Sequence, residues 1–118
     1  MKLMSFNCKG LDGPHKRLTL KRVVFLECPD IILLQETLGI GEVVKARLEI
    51  WFVGWNFETM DVRGHFGGLD ISWNNRNVNV LNFLGLEFVI GISCMDLDLG
   101  VVFTVCNVYG PYLNRIPF

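Results

Sequence analysis

A chain of 118 residues is long enough for one domain and too short for two. Hydrophobic residues make up 51% of it and charged residues only 19%, which excludes a disordered chain and points to a packed core. The formal net charge of -1 excludes a general attraction to nucleic acid, so any such contact must come from local charge.

Lys2 to Asn7 reads as a first strand, with Leu3, Ser5 and Asn7 on one face and Met4 and Phe6 on the other. Gly10, Asp12, Gly13 and Pro14 mark a loop, and Pro14 suits the first turn of a helix, where its missing N–H is not needed. That helix is expected over His15 to Glu27. Leu20, Val23, Val24 and Glu27 fall on one side, Lys21 and Arg22 point to water, and Pro29 follows the end. Asp30 to Gln35 carries the run Ile31-Ile32-Leu33-Leu34, which suits a strand buried on both faces. Gly41 to Ile50 fits a second helix, and the aromatic stretch Trp51 to Phe57 a strand. Leu69, Ile71 and Trp73 alternate with Asp70, Ser72 and Asn74, the pattern of a half-buried strand. Strands are expected over Val78 to Leu84 and Glu87 to Cys94, separated by Gly85, and over Val101 to Tyr109, which is β-branched through its centre. The order is β-α-β, a helix, then strands without helical crossovers. This predicts an α/β chain in which a parallel opening pair precedes largely antiparallel strands, a mixed sandwich.

The opening MKLMSFNCKG lacks a long apolar core and a cleavage site, so no signal peptide is indicated. No uninterrupted apolar run is long enough to span a bilayer, so a soluble intracellular protein with no membrane partner is expected. Cys8, Cys28, Cys94 and Cys106 form no CxxC pair, and His15 and His65 sit apart from them. A zinc site is disfavoured and reduced core thiols are the expectation. Lys2, Lys9, Lys16, Arg17, Lys21 and Arg22 face only Asp12 in the first stretch. They read either as a solvated helix face or as a phosphate-contacting edge, with Lys9 and Lys16 the candidate nucleic-acid contacts.

Glu36 stands where the apolar run of its strand stops. A carboxylate there is held rigidly at an open sheet end and suits Mg²⁺, although a polar residue after a strand is also just its solvated end. Asn7 ends the first strand, where an amide can orient a carboxylate or phosphate oxygen or cap the next loop. Tyr109 ends the last strand before Gly110 and Pro111, where its hydroxyl can bind phosphate or its ring can pack.

Taken together and in this order, SFNCKGL, PDIILLQET, FGGLDISWN and VCNVYGP resemble the endonuclease/exonuclease/phosphatase family, most nearly the endonuclease domain of plant non-LTR retroelements. The likeness covers nearly the whole chain. It implies a DNase I-like two-sheet β-sandwich with outer helices and Mg²⁺ or Mn²⁺ as cofactor. It also implies Glu36 as metal ligand, Asn7 and Tyr109 as catalytic residues, and a nucleic acid or other phosphodiester as substrate. Lys9 stands where some nucleases carry an aspartate, and Phe66 where a small or hydroxyl residue is usual. The family's later aspartate-x-asparagine and aspartate-histidine motifs are not found; Asp96 and Asp98 form D-L-D ahead of the tyrosine strand. The expectation is therefore a truncated N-terminal half, residues 1-118, of a metal-dependent phosphodiesterase domain. Alone it would bind metal weakly, be inactive or severely impaired, and self-associate through an exposed sheet. The alternatives are a non-catalytic nucleic-acid-binding or interaction module, or a fragment needing a complementing chain.

Overall fold

A computed structural model describes residues 1–9, 14–37, 41–61 and 68–108. The elements run β1 (Leu3–Asn7), α1 (Pro14–Glu27), β2 (Ile31–Gln35), α2 (Gly41–Trp51), β3 (Trp55–Met60), β4 (Leu69–Asn74), β5 (Val78–Leu86), β6 (Val89–Asp96) and β7 (Val102–Val108). They build two sheets, one of order β1-β2-β4-β3 and one of order β5-β6-β7. Among the described residues only β1 and β2 pair in parallel, with Asn7 opposite Gln35; the other pairings are antiparallel. The expected sandwich of largely antiparallel strands is what forms.

Period-two alternation sorts the apolar side chains of the first sheet into two cores. Ile31, Leu69, Ile71 and Trp73 meet Val78, Ile90, Ile92, Cys94 and Val105 of the second sheet. Ile32, Leu34 and Phe57 point the other way, onto Leu20 of α1 and onto Leu48 and Phe52 at the end of α2. The layers are therefore helices, four-stranded sheet, three-stranded sheet. The continuous run Ile31–Leu34 is required because β2 lies inside this stack.

The same stacking corrects the reading of 69–74 as half-buried. Asp70 and Ser72 are as buried as their apolar neighbours, because β4 lies between β2 and β3 and is covered on both faces. The strand expected over Trp51 to Phe57 begins only at Trp55. Trp51 ends α2, the Phe52 N–H donates to Leu48 O at 2.8 Å, and Gly54 then turns the chain with φ +84°. Gly85 lies inside β5; the reversal falls at Glu87 and Phe88, with φ +64° at Phe88. Of the four thiols expected in the core, Cys8 and Cys94 are buried but Cys28 and Cys106 are exposed. Cys28 follows the end of α1, and Cys106 projects from the outer face of β7.

On α1, Leu20 is buried, Val23 and Val24 half-buried, and Lys21 and Arg22 exposed, as the pattern predicted. Glu27 departs from it. It is exposed and pairs with the Lys2 ammonium at 2.6 Å, which lowers its carboxyl pKa. No helix among the described residues is long and apolar enough to cross a membrane.

Candidate functional site

Parallel pairing places the C-terminal ends of β1 and β2 on one rim of the first sheet. Asn7 and Gln35 are register partners there, and the Cys8 N–H continues the ladder to Gln35 O at 2.8 Å. Antiparallel β4 begins at this rim, with Leu69 opposite Gln35. Glu36 follows directly on the end of β2 and is half-exposed. Asn7 and Glu36 therefore share a rim.

The second sheet delivers the end of β7 to the same place. Asn107 Nδ2 donates to Leu34 O at 2.9 Å and Asp70 O at 2.8 Å, and Gln35 Nε2 donates to Asn107 Oδ1 at 2.8 Å. Tyr109, expected two residues further on, lies outside the described residues, as do His65 and Phe66. Asp96 and Asp98 occupy the other end of β7, where Asp96 Oδ1 accepts the N–H groups of Asp98 and Leu99 and organises the β6–β7 turn. They have no place at this rim.

The rim backbone is unusual. Lys9 and Glu36 have φ of +47° and +51°, and Gly68, which precedes β4, has φ +103°. Such backbone costs about 1–3 kcal/mol per residue outside glycine and persists only where its surroundings hold it. Here the Thr37 N–H, just after Glu36, donates to Gly68 O at 3.3 Å. A side chain at Gly68 would collide with Thr37 Oγ1. The second glycine of GGL thus lets the β2 exit and the β4 entry approach closely.

Asn7 performs the capping role: its Oδ1 accepts the Lys9 N–H at 3.1 Å and closes the turn after β1. The Lys16 ammonium donates to Lys9 O, drawing the start of α1 onto this turn. Lys9 is exposed and Lys16 half-buried, and both are tied to the turn that Asn7 closes. Cys8 senses the local charge. Its thiol is pushed up to about 12, first by burial, then by Asp70, with Lys16 lowering it and Glu36 raising it. Asp70 is fully buried and accepts a hydrogen bond from Ser72 Oγ.

Among the described residues no group of three or more His, Cys, Asp or Glu side chains is close enough to cage a metal. The half-exposed Glu36 carboxylate at an open rim is nevertheless a hard-oxygen donor. It fits a partly hydrated Mg²⁺ or Mn²⁺, which keeps several waters and takes one or two carboxylates. It does not fit a closed structural zinc site.

Asn107 and Gln35 are the residues that sequence reasoning passed over. The signal was present: Asn107 is the lone amide in the apolar run VFTVCNV, and Gln35 the polar close of IILLQ.

The chain has the fold of endonuclease/exonuclease/phosphatase proteins. An endonuclease/exonuclease/phosphatase family protein from Bacteroides thetaiotaomicron superposes with a TM-score of 0.72 at 10% identity, over 92% of this chain and 48% of its own. D. rerio TDP2, complexed with single strand DNA product, gives 0.70 at 18% identity, over 94% and 48%. The AP endonuclease LMAP from Leishmania major gives 0.66 at 20% identity, over 97% and 42%. The chain spans about half the length of the solved structures it matches. No protein-family model and no curated protein sequence matches it.

Proposed function

We propose that this chain is a member of the endonuclease/exonuclease/phosphatase family and carries the first half of a metal-dependent phosphodiesterase site. The observation that carries the reading is the meeting of Asn7, Glu36 and the C-terminal end of β7 on one strained rim of a sandwich of this fold. Glu36 is the metal ligand. Asn7 fixes the turn beside it, and the Tyr109 hydroxyl contacts a phosphate oxygen. A bound Mg²⁺ or Mn²⁺ would neutralise charge on the phosphate and its leaving oxygen. Lys9 and Lys16 add positive charge where a phosphate backbone would lie.

A nucleic acid is the favoured substrate class. One of the matched structures is complexed with single strand DNA product and another is an AP endonuclease. A mannosyl-6-phosphatase from Bacteroides thetaiotaomicron, matched with a TM-score of 0.72 at 12% identity, keeps other phosphate esters in view. The retroelement branch is proposed on the motifs SFNCKGL and PDIILLQET alone.

The 118 residues hold neither an aspartate-x-asparagine nor an aspartate-histidine pair. Lack of a general base costs about 10²–10⁴-fold in rate, so these residues by themselves are proposed to turn over slowly or not at all. Calorimetric titration of Mn²⁺ into the wild type and Glu36→Gln tests the site. Weak binding lost in the variant is expected. Equal binding by both proteins would remove Glu36 from the role.

A further inference from the structure

Asn107 is 1% exposed, yet the inward positions around it on the two sheets are apolar: Leu33, Leu69, Ile71 and Val105. A buried amide is costly unless it is fully bonded, and an apolar replacement of similar shape is often neutral. Asn107 is bonded at both ends. Its two donors go to the carbonyls of Leu34 and Asp70, which are register partners, so the amide straddles the ladder between β2 and β4. Its oxygen accepts from Gln35 Nε2, and that same nitrogen also donates to Ser5 Oγ on β1 at 3.0 Å.

One side chain of the second sheet is therefore connected to β1, β2 and β4 of the first, directly or through Gln35. The tie is made at the level where those strands reach the rim. Gln35 is the residue before Glu36, and Leu34 lies two before it. The left-handed backbone of Glu36 sits immediately beyond this tie, which is where surroundings must over-determine a strained conformation.

We infer that Asn107, with Gln35 as its partner, is a positioning residue: it locks the ends of β2 and β4 and so sets the backbone from which Glu36 projects. It acts through Glu36 and not on substrate. The effect on metal binding rests on the reading of the rim proposed above; the effect on the backbone does not.

The test uses the whole chain in four forms: wild type, Asn107→Leu, Gln35→Leu and Ile92→Val. Gln35→Leu leaves both carbonyl bonds of Asn107 in place, and serves if Asn107→Leu fails to fold. Ile92→Val loosens the same inter-sheet core without touching the amides. Two readouts are taken where each protein is folded. One is NMR of the rim: hydrogen exchange of the Cys8 and Thr37 amides, and the three-bond HN–Hα coupling of Glu36. The other is Mn²⁺ affinity by electron paramagnetic resonance.

Exchange at Cys8 and Thr37 is expected to quicken in Asn107→Leu, and to a lesser degree in Gln35→Leu, relative to Ile92→Val. The Glu36 coupling should move with it, and Mn²⁺ affinity should fall about 10-fold or more, the usual cost of removing a residue that orients a ligand. Unchanged exchange and coupling in both amide variants would overturn the inference, whatever the metal does. Rim changes in the amide variants, together with equal Mn²⁺ binding by wild type and Glu36→Gln, would leave the positioning inference standing and sink the metal reading.

Discussion

Gly68→Ala tests whether the rim is built on a close approach of β2 to β4. Gly68 has φ +103°, and a Cβ there would collide with Thr37 Oγ1 while lying 3.1 Å from Thr37 Cβ and 3.3 Å from Thr37 N. Thr37 is 4% exposed and its N–H is bonded to Gly68 O, so it has little room to yield. Backbone strain contributes about 1–3 kcal/mol and overpacking about 1–3 kcal/mol more, so the expected loss is about 2–6 kcal/mol. A chain of this size loses about 4 °C in Tm per kcal/mol, hence about 8–24 °C overall. Gly54→Ala is the internal control, because Gly54 has φ +84° but nothing within 4 Å of a new Cβ. It should cost only the left-handed penalty of about 1–2 kcal/mol. Thermal unfolding of both variants, and of Gly68→Ala combined with Thr37→Ala, separates the two causes. Thr37→Ala should restore about 1–3 kcal/mol in the Gly68→Ala background. Equal losses at Gly68 and Gly54, or no recovery with Thr37→Ala, would refute the close approach.

The Cys8 thiol, pushed up to about 12 from an ordinary 9.0, makes stability depend on pH in one direction. The folded state holds the proton more tightly, so this thiol's contribution to stability is flat below pH 9 and falls by about 1.4 kcal/mol per unit from there toward 12. Unfolding curves across that range should show the slope, and Cys8→Ala should reduce it, leaving the part due to the Cys94 thiol, which burial also raises. In the native state, iodoacetamide should modify Cys28 and Cys106 quickly and Cys8 and Cys94 slowly; mass mapping that finds Cys8 among the fast thiols would contradict the buried rim. Asn107→Asp should destabilise by about 2–4 kcal/mol, because it sets carboxylate oxygens against the Leu34 and Asp70 carbonyls in place of two donors; chemical denaturation measures this. Val102, Val108 and Leu3 are exposed on the edge strands β7 and β1. Concentration-dependent association in sedimentation is therefore expected, and Val102→Lys should weaken it.

Much of the fold was legible because burial writes itself into the sequence. Ile31-Ile32-Leu33-Leu34 is apolar at every position because alternate residues feed two different cores. The helix α1 was readable from Pro14, Pro29 and the apolar spacing of Leu20 and Val24. Three features were not readable, each for a tertiary reason. Asp70 and Ser72 look solvent-facing, but the helical layer covers them, and no local pattern encodes that cover. Trp51 carries strand propensity, yet packing beside Leu48 and Phe52 holds it in α2. The β5–β6 turn falls at Glu87 and Phe88, not at the nearby glycine, because the pairing of Gly85 with Ile90 carries β5 past it. For the site, Asn7 and Glu36 could be placed because both end parallel strands, whose ends must coincide. Asn107 could not, since its partners are main-chain carbonyls of strands distant in sequence.

In the proposed function the rim carrying Asn7 and Glu36, and not the aspartate turn at the other end of β7, is where this chain takes up a divalent cation. Paramagnetic broadening of backbone amide signals by substoichiometric Mn²⁺ reads the position directly. Broadening is expected to centre on residues 7–9 and 35–37, to extend to Asn107, and to disappear in Glu36→Gln. Broadening centred on Asp96 and Asp98, or broadening at the rim that survives Glu36→Gln, would contradict it.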